Sequence, residues 1–375
     1  MRSDAVVVGG GVIGLAVAMR LARGGRSVVL LERHASFGRE ASSRNSEVVH
    51  AGMYYPTGSL KAELCVAGNR SLYAWCDATG VEARRLGKFI VATSADEDAV
   101  LEDILRRGHA NGVAGLRRAT LAELREEEPL VRAVGALYSP DTGIVDSHGF
   151  MRSLADAASA RGAALAWAHE YVGAERFRGG FRVRFRDPGG MEGEVDARVV
   201  VNAAGLDADR VAGGMGLDID ALGYRLRYVK GSYFRLAESW RGRLRHLIYP
   251  VPHAGLAGLG THVTIDLAGG IRLGPDVEFL AERRLDYRVD PGRAERFVEG
   301  VRRYLPSLTP GELRPDQAGI RARRVLPDPA VAPDFVIAEE SAHGLAGWID
   351  LIGIESPGLT SALEIAGRVA ALAGA

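Results

Sequence analysis

The chain has 375 residues, with 47 basic and 47 acidic side chains, so its formal net charge is zero. This length can bury a large core and predicts about two domains. The balanced charge argues against nucleic acid or an anionic membrane surface as the main partner.

The uncharged run near the amino terminus, residues 5–19, has the apolar character of a signal or membrane segment. It is shorter than the roughly 20 residues of a spanning helix, glycines interrupt it, and Asp4 precedes it. We therefore expect a cytoplasmic protein without a transmembrane segment. Peripheral contact with the inner membrane stays open.

The amino terminus carries the pattern of a dinucleotide-binding βαβ unit. A buried strand is predicted over residues 5–8 and a second over 27–31, with an apolar helix between them that ends at Gly24. The spacing G-x-G-x-x-G falls between the first strand and the helix, where glycines permit a tight turn, close approach of a pyrophosphate and helix–strand packing. Glu32, at the end of the second strand, could accept hydrogen bonds from the hydroxyl groups of a ribose. The alternative is a strand–helix turn without a ligand. The first strand, the helix, the second strand and the acid occur in the expected order and spacing, which favours a dinucleotide site. The residues predicted to form this site are Gly9, Gly11, Val12, Ile13, Gly14, Glu32 and Arg33.

A polar segment, residues 38–50, follows, and no hydrophobic period runs through it. Its hydroxyl and amide groups could donate hydrogen bonds to phosphates or to a ring system. The same composition is equally typical of an ordinary solvated loop. Residues 48–56 then set His50, Tyr54 and Tyr55 beside small residues, which is the composition of a backbone that approaches a flat ligand.

A helix is predicted over residues 61–78, with Lys61 at its entry. Cys65 and Cys76 both lie in this helix. Their spacing is a rise of about 16 Å, which is too long for a disulfide. We expect two reduced, packed thiols.

Residues 45–66, NSEVVHAGMYYPTGSLKAELCV, resemble the L-2-hydroxyglutarate dehydrogenase/oxidase family, within the glycine oxidase and D-amino-acid oxidase superfamily of FAD enzymes. The similarity extends over nearly the whole chain and includes residues 249–252, 270–275, 318–321 and 353–361. The last block is the most specific. The chain departs from the family pattern at Glu47, where glycine is usual, and at Asp350, where asparagine is usual.

The resemblance implies an α/β fold with a Rossmann-type FAD-binding domain assembled from discontinuous segments and a mixed-sheet α+β substrate domain. The expected boundaries are residues 1–86, 145–220 and 321–375 for the FAD-binding domain, and 87–144 and 221–320 for the substrate domain. Strands are predicted at 87–93, 165–169, 172–176, 181–185 and 195–201, and helices at 97–111, 148–161 and 292–304. We interpret the acidic segment 121–130 as a solvated helix end and expect no metal site.

FAD is the cofactor that the resemblance implies. Beyond the glycine motif, the residues expected to contact it are Ser42, Ser43, Asn45, Ser46, His50, Val172, Ala204, Gly205, Gly353, Ser356, Gly358, Leu359 and Thr360. The strand that ends near residue 201 leads into small residues, which suits close passage of a dinucleotide. Ser356 is predicted to cap a helix over 359–372, whose positive end would favour negative charge on the flavin. His50 lies where some relatives attach the flavin covalently, but we expect non-covalent binding.

Two residues are candidates for the chemistry. In the alternating segment 260–266, Val263 and Ile265 are predicted to face the core and His262 the other side of the sheet. Such a face is ordinarily solvated, but the resemblance puts this strand over the flavin. Arg321 is similar to the arginine that binds a substrate anion in related flavoenzymes, whereas its ordinary role would be an ion pair.

The sequence thus predicts FAD-dependent oxidation of a short 2-hydroxy acid, with L-2-hydroxyglutarate the first candidate, to the 2-oxo acid by hydride transfer to flavin N5. Arg321, Lys61, Tyr54 and Tyr249 would bind the substrate, and His262 would take the hydroxyl proton. The alternative is an amino-acid or sarcosine-type oxidase, which has less need of a base. An NAD-linked dehydrogenase would not explain the carboxyl-terminal block, and a non-catalytic flavin protein stays open. Oxygen, a quinone and a soluble carrier are all compatible electron acceptors.

Overall fold

The computed structural model describes residues 1–252, 260–328 and 331–374. Its helices are α1 (Val12–Arg23), α2 (Leu60–Thr79), α3 (Ala95–Ala110), α4 (Leu121–Glu127), α5 (Ser147–Ser159), α6 (Ala208–Gly214), α7 (Ala294–Arg302) and α8 (Gly358–Leu372). Its strands are β1 (Arg2–Val8), β2 (Val28–Glu32), β3 (Val48–Val49), β4 (Ala83–Arg84), β5 (Lys88–Ala92), β6 (Arg117–Ala119), β7 (Gly135–Ser139), β8 (Gly143–Val145), β9 (Ala164–Trp167), β10 (Glu170–Phe177), β11 (Gly180–Arg186), β12 (Glu192–Asn202), β13 (Leu226–Leu236), β14 (Leu247–Pro250), β15 (Val263–Ile265), β16 (Ile271–Leu273), β17 (Glu278–Phe279), β18 (Leu313–Arg324), β19 (Val336–Glu340) and β20 (Leu345–Ile352). None of the helices in these ranges is long and apolar enough to cross a membrane.

The chain divides into two compact units, and each is built from separated segments. The first unit comprises Met1–Ser43, Ser147–Tyr228 and Arg321–Ala375, and the second comprises Arg44–Asp146 and Val229–Ile320. The predicted boundary at residue 86 differs from this division, because residues 44–86 group with the second unit. Pairing of β3 with β8 and a hydrogen bond from the Asn69 amide to the Asp141 carbonyl, 2.9 Å, account for the difference.

The first unit contains a mixed sheet in the order β10-β11-β12-β1-β2-β9, with β20 beside β12 and β19 beside β20. Strands β9, β2, β1, β12 and β20 run parallel. The residues Ala5, Val6 and Val7 of β1 are fully buried, as expected for a strand covered on both faces. Helix α1 packs against α5 and α8. The predicted βαβ arrangement at the amino terminus is therefore confirmed.

Helix α8 begins at Gly358, with Pro357 as the N-cap residue and no side-chain cap. The predicted cap by Ser356 is wrong, because the helix starts too late for the Ser356 hydroxyl to take the N-cap position. The Gly358 N–H donates instead to the Glu355 carbonyl at 2.6 Å.

The second unit contains a sheet in the order β17-β13-β16-β15-β14-β5-β7-β6, with β18 beside β13, and a small sheet in the order β3-β8-β4. Val263 and Ile265 pack into a core that includes Phe89 and Phe234, as predicted. The opposite face of β15 is buried as well, since His262 is only 7% exposed. A buried polar side chain needs partners, so this face differs from an ordinary solvated sheet surface.

Glu128 is an exception to the predicted solvated acidic helix end, in which Glu126 is exposed. It follows α4 and is fully buried. Its Oε1 accepts hydrogen bonds from the backbone N–H groups of Arg245 and His246, at 2.8 and 2.7 Å. Glu128 thus satisfies donors of a neighbouring segment.

The carboxyl group of Asp350 is fully buried in the first unit, where β12 and β20 pair. Its Oδ1 accepts a hydrogen bond from the Asn202 amide at 2.6 Å. Burial raises the pKa of Asp350 to about 7, and the nearby Glu340 adds to this effect, while the bond from Asn202 opposes it. Asp350 therefore keeps its proton to much higher pH in the folded protein than an exposed aspartate does.

We expect Asp350→Asn to stabilise the protein above neutral pH. A carboxyl group with a raised pKa binds its proton more tightly in the folded protein than in the unfolded chain. It therefore does not lower the free energy of unfolding below about pH 4, and it lowers that free energy increasingly between about pH 4 and pH 7. The gain in unfolding free energy should approach about 4 kcal/mol as an upper limit above pH 7. Melting temperatures across pH would measure it, with exposed Asp156→Asn as the control. An equal difference at pH 4 and pH 8 would contradict this account.

Candidate active site

The turn between β1 and α1 brings backbone segments too close for side chains. Gly9 has φ 108°, and a Cβ there would lie 2.5 Å from the Ala203 carbonyl oxygen. A Cβ on Gly14 would lie 1.9 Å from the Gly9 carbonyl oxygen. Both positions therefore require glycine, as the motif predicts.

Gly11 is glycine for a different reason. Its backbone is ordinary and extended, with φ −76° and ψ 177°, and a Cβ there would approach only the Ser42 hydroxyl, at 2.9 Å. It is the N-cap residue of α1, and no side chain caps it there. The positive end of this helix fits a pyrophosphate group, with the Ser42 hydroxyl beside it, 3.0 Å from the N–H of Val12.

Glu32 is held in place at the end of β2. Its Oε2 accepts a hydrogen bond from the Gly10 N–H at 2.7 Å, and its Oε1 accepts one from the His34 N–H at 2.8 Å. Each oxygen keeps a second lone pair, so the carboxylate can still accept bonds from ribose hydroxyls. Arg33, predicted beside it, pairs with Asp207 at 2.9 Å.

The remaining predicted cofactor residues of the first unit lie at several places. Ser42 and Ser43 form a short 3₁₀ turn with Ala41, and the Ser42 hydroxyl accepts the N–H of Val12 at 3.0 Å. Ala204 and Gly205 directly follow β12, whereas Gly353, Gly358, Leu359 and Thr360 follow β20. Val172 is 37% exposed on the edge strand β10.

Asn45, Ser46 and His50, also predicted to contact the cofactor, belong to the second unit. The Asn45 side chain accepts the Glu47 N–H at 2.7 Å. Glu47 has φ 57°, a conformation that favours glycine, and its carboxylate lies 3.7 Å from the Arg272 guanidinium. A backbone that favours glycine explains why glycine is usual at this position in the family that the chain resembles.

The imidazole of His262 stacks on the ring of Tyr249. Their ring centroids are 3.7 Å apart, and the planes differ by 7°. Register explains the contact: Ile248 of β14 pairs with Val263 of β15, so the adjacent residues Tyr249 and His262 lie opposite each other. Two predicted site residues are thus brought together.

Lys88, which the sequence analysis did not identify, lies beside this pair. Its ammonium nitrogen is 4.5 Å from the centroid of the Tyr249 ring and 4.7 Å from that of the Tyr54 ring. The side chain is fully buried, and burial lowers its pKa to about 7. Aromatic faces stabilise a cation in such a position.

A signal for Lys88 was present in the composition. The chain has only three lysines among its 47 basic residues. Lys61, Lys88 and Lys230 are all buried, at 8%, 0% and 6% exposure, and all lie in the second unit. Lysine is seldom buried in proteins, so burial of all three distinguishes them from ordinary surface lysines.

His50 and Cys65 complete the surroundings of Lys88. Burial, with a smaller contribution from the Lys88 charge, lowers the pKa of His50 to about 3. Burial raises the pKa of the Cys65 thiol, and the thiol donates weakly to the His50 carbonyl at 3.5 Å. Both cysteines are free and buried, which confirms their prediction as reduced, packed thiols.

Lys61 and Arg321 lie on other elements. Lys61 is in the first turn of α2, which Ser59 caps through a bond from the Ala62 N–H at 3.2 Å. Arg321 is partly buried on β18, between the buried residues Ile320 and Ala322.

A comparison with protein families decides what this arrangement belongs to. The family model described as DAO, FAD dependent oxidoreductase, matches residues 4–372. The chain belongs to this family. It is therefore an FAD-dependent oxidoreductase. The glycine turn of the first unit has a form that suits a dinucleotide.

Individual relatives of this FAD-dependent oxidoreductase are similar over nearly its whole length. It is 40% identical to the mitochondrial L-2-hydroxyglutarate dehydrogenase of Arabidopsis thaliana, over 98% of this chain and 83% of the relative. It is 31% identical to the L-2-hydroxyglutarate dehydrogenase of Escherichia coli K12, over 98% of this chain and 92% of the relative.

Solved structures show the same fold. The L-alpha-glycerophosphate oxidase of Mycoplasma pneumoniae with FAD bound matches with a TM-score of 0.87 and 23% identity, over 100% of this chain and 95% of that one. Glycine oxidase from Geobacillus kaustophilus matches with a TM-score of 0.80 and 22% identity, over 100% and 95%. The expected FAD-binding α/β architecture is confirmed.

We expect Gly11→Val to abolish FAD binding while the apoprotein still folds. The backbone at Gly11 accepts a side chain, but the added atoms would occupy the place of the pyrophosphate. Acid release and flavin absorbance would give the FAD content per chain, with Gly367→Ala in α8 as the control. Normal FAD content in Gly11→Val, or a colourless protein that holds NAD, would contradict this assignment.

Proposed function

We propose that this oxidoreductase converts L-2-hydroxyglutarate to the corresponding 2-oxo acid. The observation that carries the proposal is its 40% and 31% identity, over 98% of the chain, to proteins named L-2-hydroxyglutarate dehydrogenase. Bound FAD supplies the acceptor for the hydride. The protein's own residues must bind a dianion, orient its C–H bond and remove the hydroxyl proton.

His262 is the proposed base. A neutral alcohol holds its proton tightly, and hydride departure builds positive charge on carbon unless that proton leaves. An imidazole in its neutral form suits this task near physiological pH. Stacking on Tyr249 supports the role, because it fixes the plane of the imidazole ring.

Arg321 is the proposed partner of the carboxylate next to the reacting carbon. Its planar guanidinium can donate two parallel hydrogen bonds to a carboxylate. Lys61, with Tyr54 and Tyr249, is proposed to bind the rest of the substrate. The burial of Lys61, at 8% exposure, supports a role other than a solvated surface charge.

Anaerobic titration of the purified flavoprotein tests the function. L-2-hydroxyglutarate should bleach the flavin absorbance, whereas monocarboxylic 2-hydroxy acids, amino acids and sarcosine should do so far more slowly. Faster reduction by an amine than by any hydroxy acid would favour the alternative of an amine oxidase. No bleaching with any compound would indicate a non-catalytic flavin protein.

Reoxidation of the flavin identifies the electron acceptor. Oxygen, a quinone and a soluble carrier remain the candidates, and the rate with each gives the answer. We propose a cytoplasmic location, with contact at the inner membrane if a quinone is the acceptor.

We expect His262→Ala to retain FAD but to slow flavin reduction by roughly 10²- to 10⁴-fold, since the positioned base is lost. The acidic limb of the pH profile should disappear, and substrate affinity should change much less. Anaerobic stopped-flow reduction across pH measures both effects, with the exposed His109→Ala in α3 as the control. A wild-type rate with the limb intact would move the base to another residue, with His50 the next candidate.

We expect Arg321→Lys to weaken substrate binding although the charge is kept, because lysine cannot form the bidentate pair. FAD content should stay normal. The half-saturating substrate concentration in anaerobic reduction is the measurement, and exposed Arg314→Lys on the same strand is the control. If the half-saturating substrate concentration of Arg321→Lys equalled that of the wild type, Arg321 would be a structural ion-pair residue and not a substrate-binding one.

A further inference from the structure

The cation of Lys88 has no acidic partner in the part of the chain that the structure describes. Its ammonium nitrogen lies instead against two aromatic rings, those of Tyr54 and Tyr249, at 4.7 and 4.5 Å. A buried charge without a counter-ion is unfavourable, so a protein retains one chiefly where the charge has a use.

The position of Lys88 follows from the sheet. Lys88 begins β5 and pairs in register with Leu247 of β14, and two residues further Ile90 pairs with Tyr249. With a side-chain period of two, Lys88 and Tyr249 lie on the same face of the sheet. The imidazole of His262 stacks on that same Tyr249 ring.

The other titratable groups around Lys88 come from three elements. They are Cys65 from α2, His50 and Tyr54 from the segment after β3, and Tyr249 from β14. Burial raises the pKa of Cys65, Tyr54 and Tyr249 and lowers that of His50, so all four are uncharged near neutral pH. Tyr233 and Tyr304 also lie near Tyr249.

We propose that Lys88 is a positioning residue for proton transfer, whose buried positive charge keeps the imidazole stacked on Tyr249 uncharged and ready to accept a proton. The proposal rests on the proposed function of His262. If the imidazole were protonated before the reaction, two positive charges would lie against one aromatic ring in a region of low dielectric. In the reaction, the substrate O–H bond breaks and its proton moves to the imidazole. The C–H bond of the carbon that carries this oxygen breaks as well, its hydride is accepted by bound FAD, and a C=O double bond forms.

The pH dependence of the flavin reduction rate in Lys88→Met tests the proposal. This variant keeps the length of the side chain and removes the charge, and the informative part of the profile is its acidic limb. The limb should move to higher pH by about one unit, so that reduction on the acidic side slows about tenfold while the plateau changes little. Lys88→Arg should restore the wild-type limb. Arg85→Met, which removes a solvated cation 3.8 Å from the ring of Tyr73, should leave the limb in place.

A measurement without substrate separates this proposal from the proposed function. Protein labelled with ¹³C at the lysine side chains gives at most three signals, and Lys88→Met identifies one of them. We expect the Lys88 signal to titrate near pH 7 and to be charged at pH 6. This result does not depend on whether the substrate is a hydroxy acid or an amine.

Three outcomes would overturn the proposal. A neutral Lys88 amine throughout pH 5.5–8 would remove the charge on which it depends. An unmoved limb in Lys88→Met would show that the charge does not act on the base. If the acidic limb moved as far in Lys88→Arg as in Lys88→Met, the shape of the lysine side chain would matter and its charge would not.

Discussion

The close approach of two backbone segments at the carboxyl ends of β1 and β12 constrains the whole first unit. The carbonyl oxygen of Ala203 is 2.5 Å from where a Cβ of Gly9 would be, and that of Gly9 is 1.9 Å from where a Cβ of Gly14 would be. Helix α1 can start at this point only because both positions lack side chains. The same approach lets α1 lie close to β1, where it also packs against α5 and α8.

The second unit depends on a different kind of constraint. Its sheet carries polar side chains at several buried positions, and two of them, Lys88 and His262, contact the ring of Tyr249. Tyr249 is central, because His262, Lys88 and the neighbouring strand all contact it or pair beside it. Removal of the Tyr249 ring would therefore leave two polar side chains without the surface that orients them.

Sequence patterns predicted what local periodicity and glycine spacing control. The strands and helices of the amino terminus, helix α2 and the faces of β15 are confirmed because each follows from residues close together in the chain. Patterns failed where distant segments decide. The boundary at Ser43 depends on pairing of β3 with β8, and the burial of Glu128 depends on the backbone at Arg245. Lys88 was missed because a single lysine at the start of a strand has the local appearance of a solvated end.

The rarity of lysine has a consequence for the chemistry of the surface. All three lysines are buried, at 8%, 0% and 6% exposure, and all three lie in the second unit. An amine-selective reagent would therefore find little lysine to modify while the second unit is folded. Modification of lysine would report the opening of that unit.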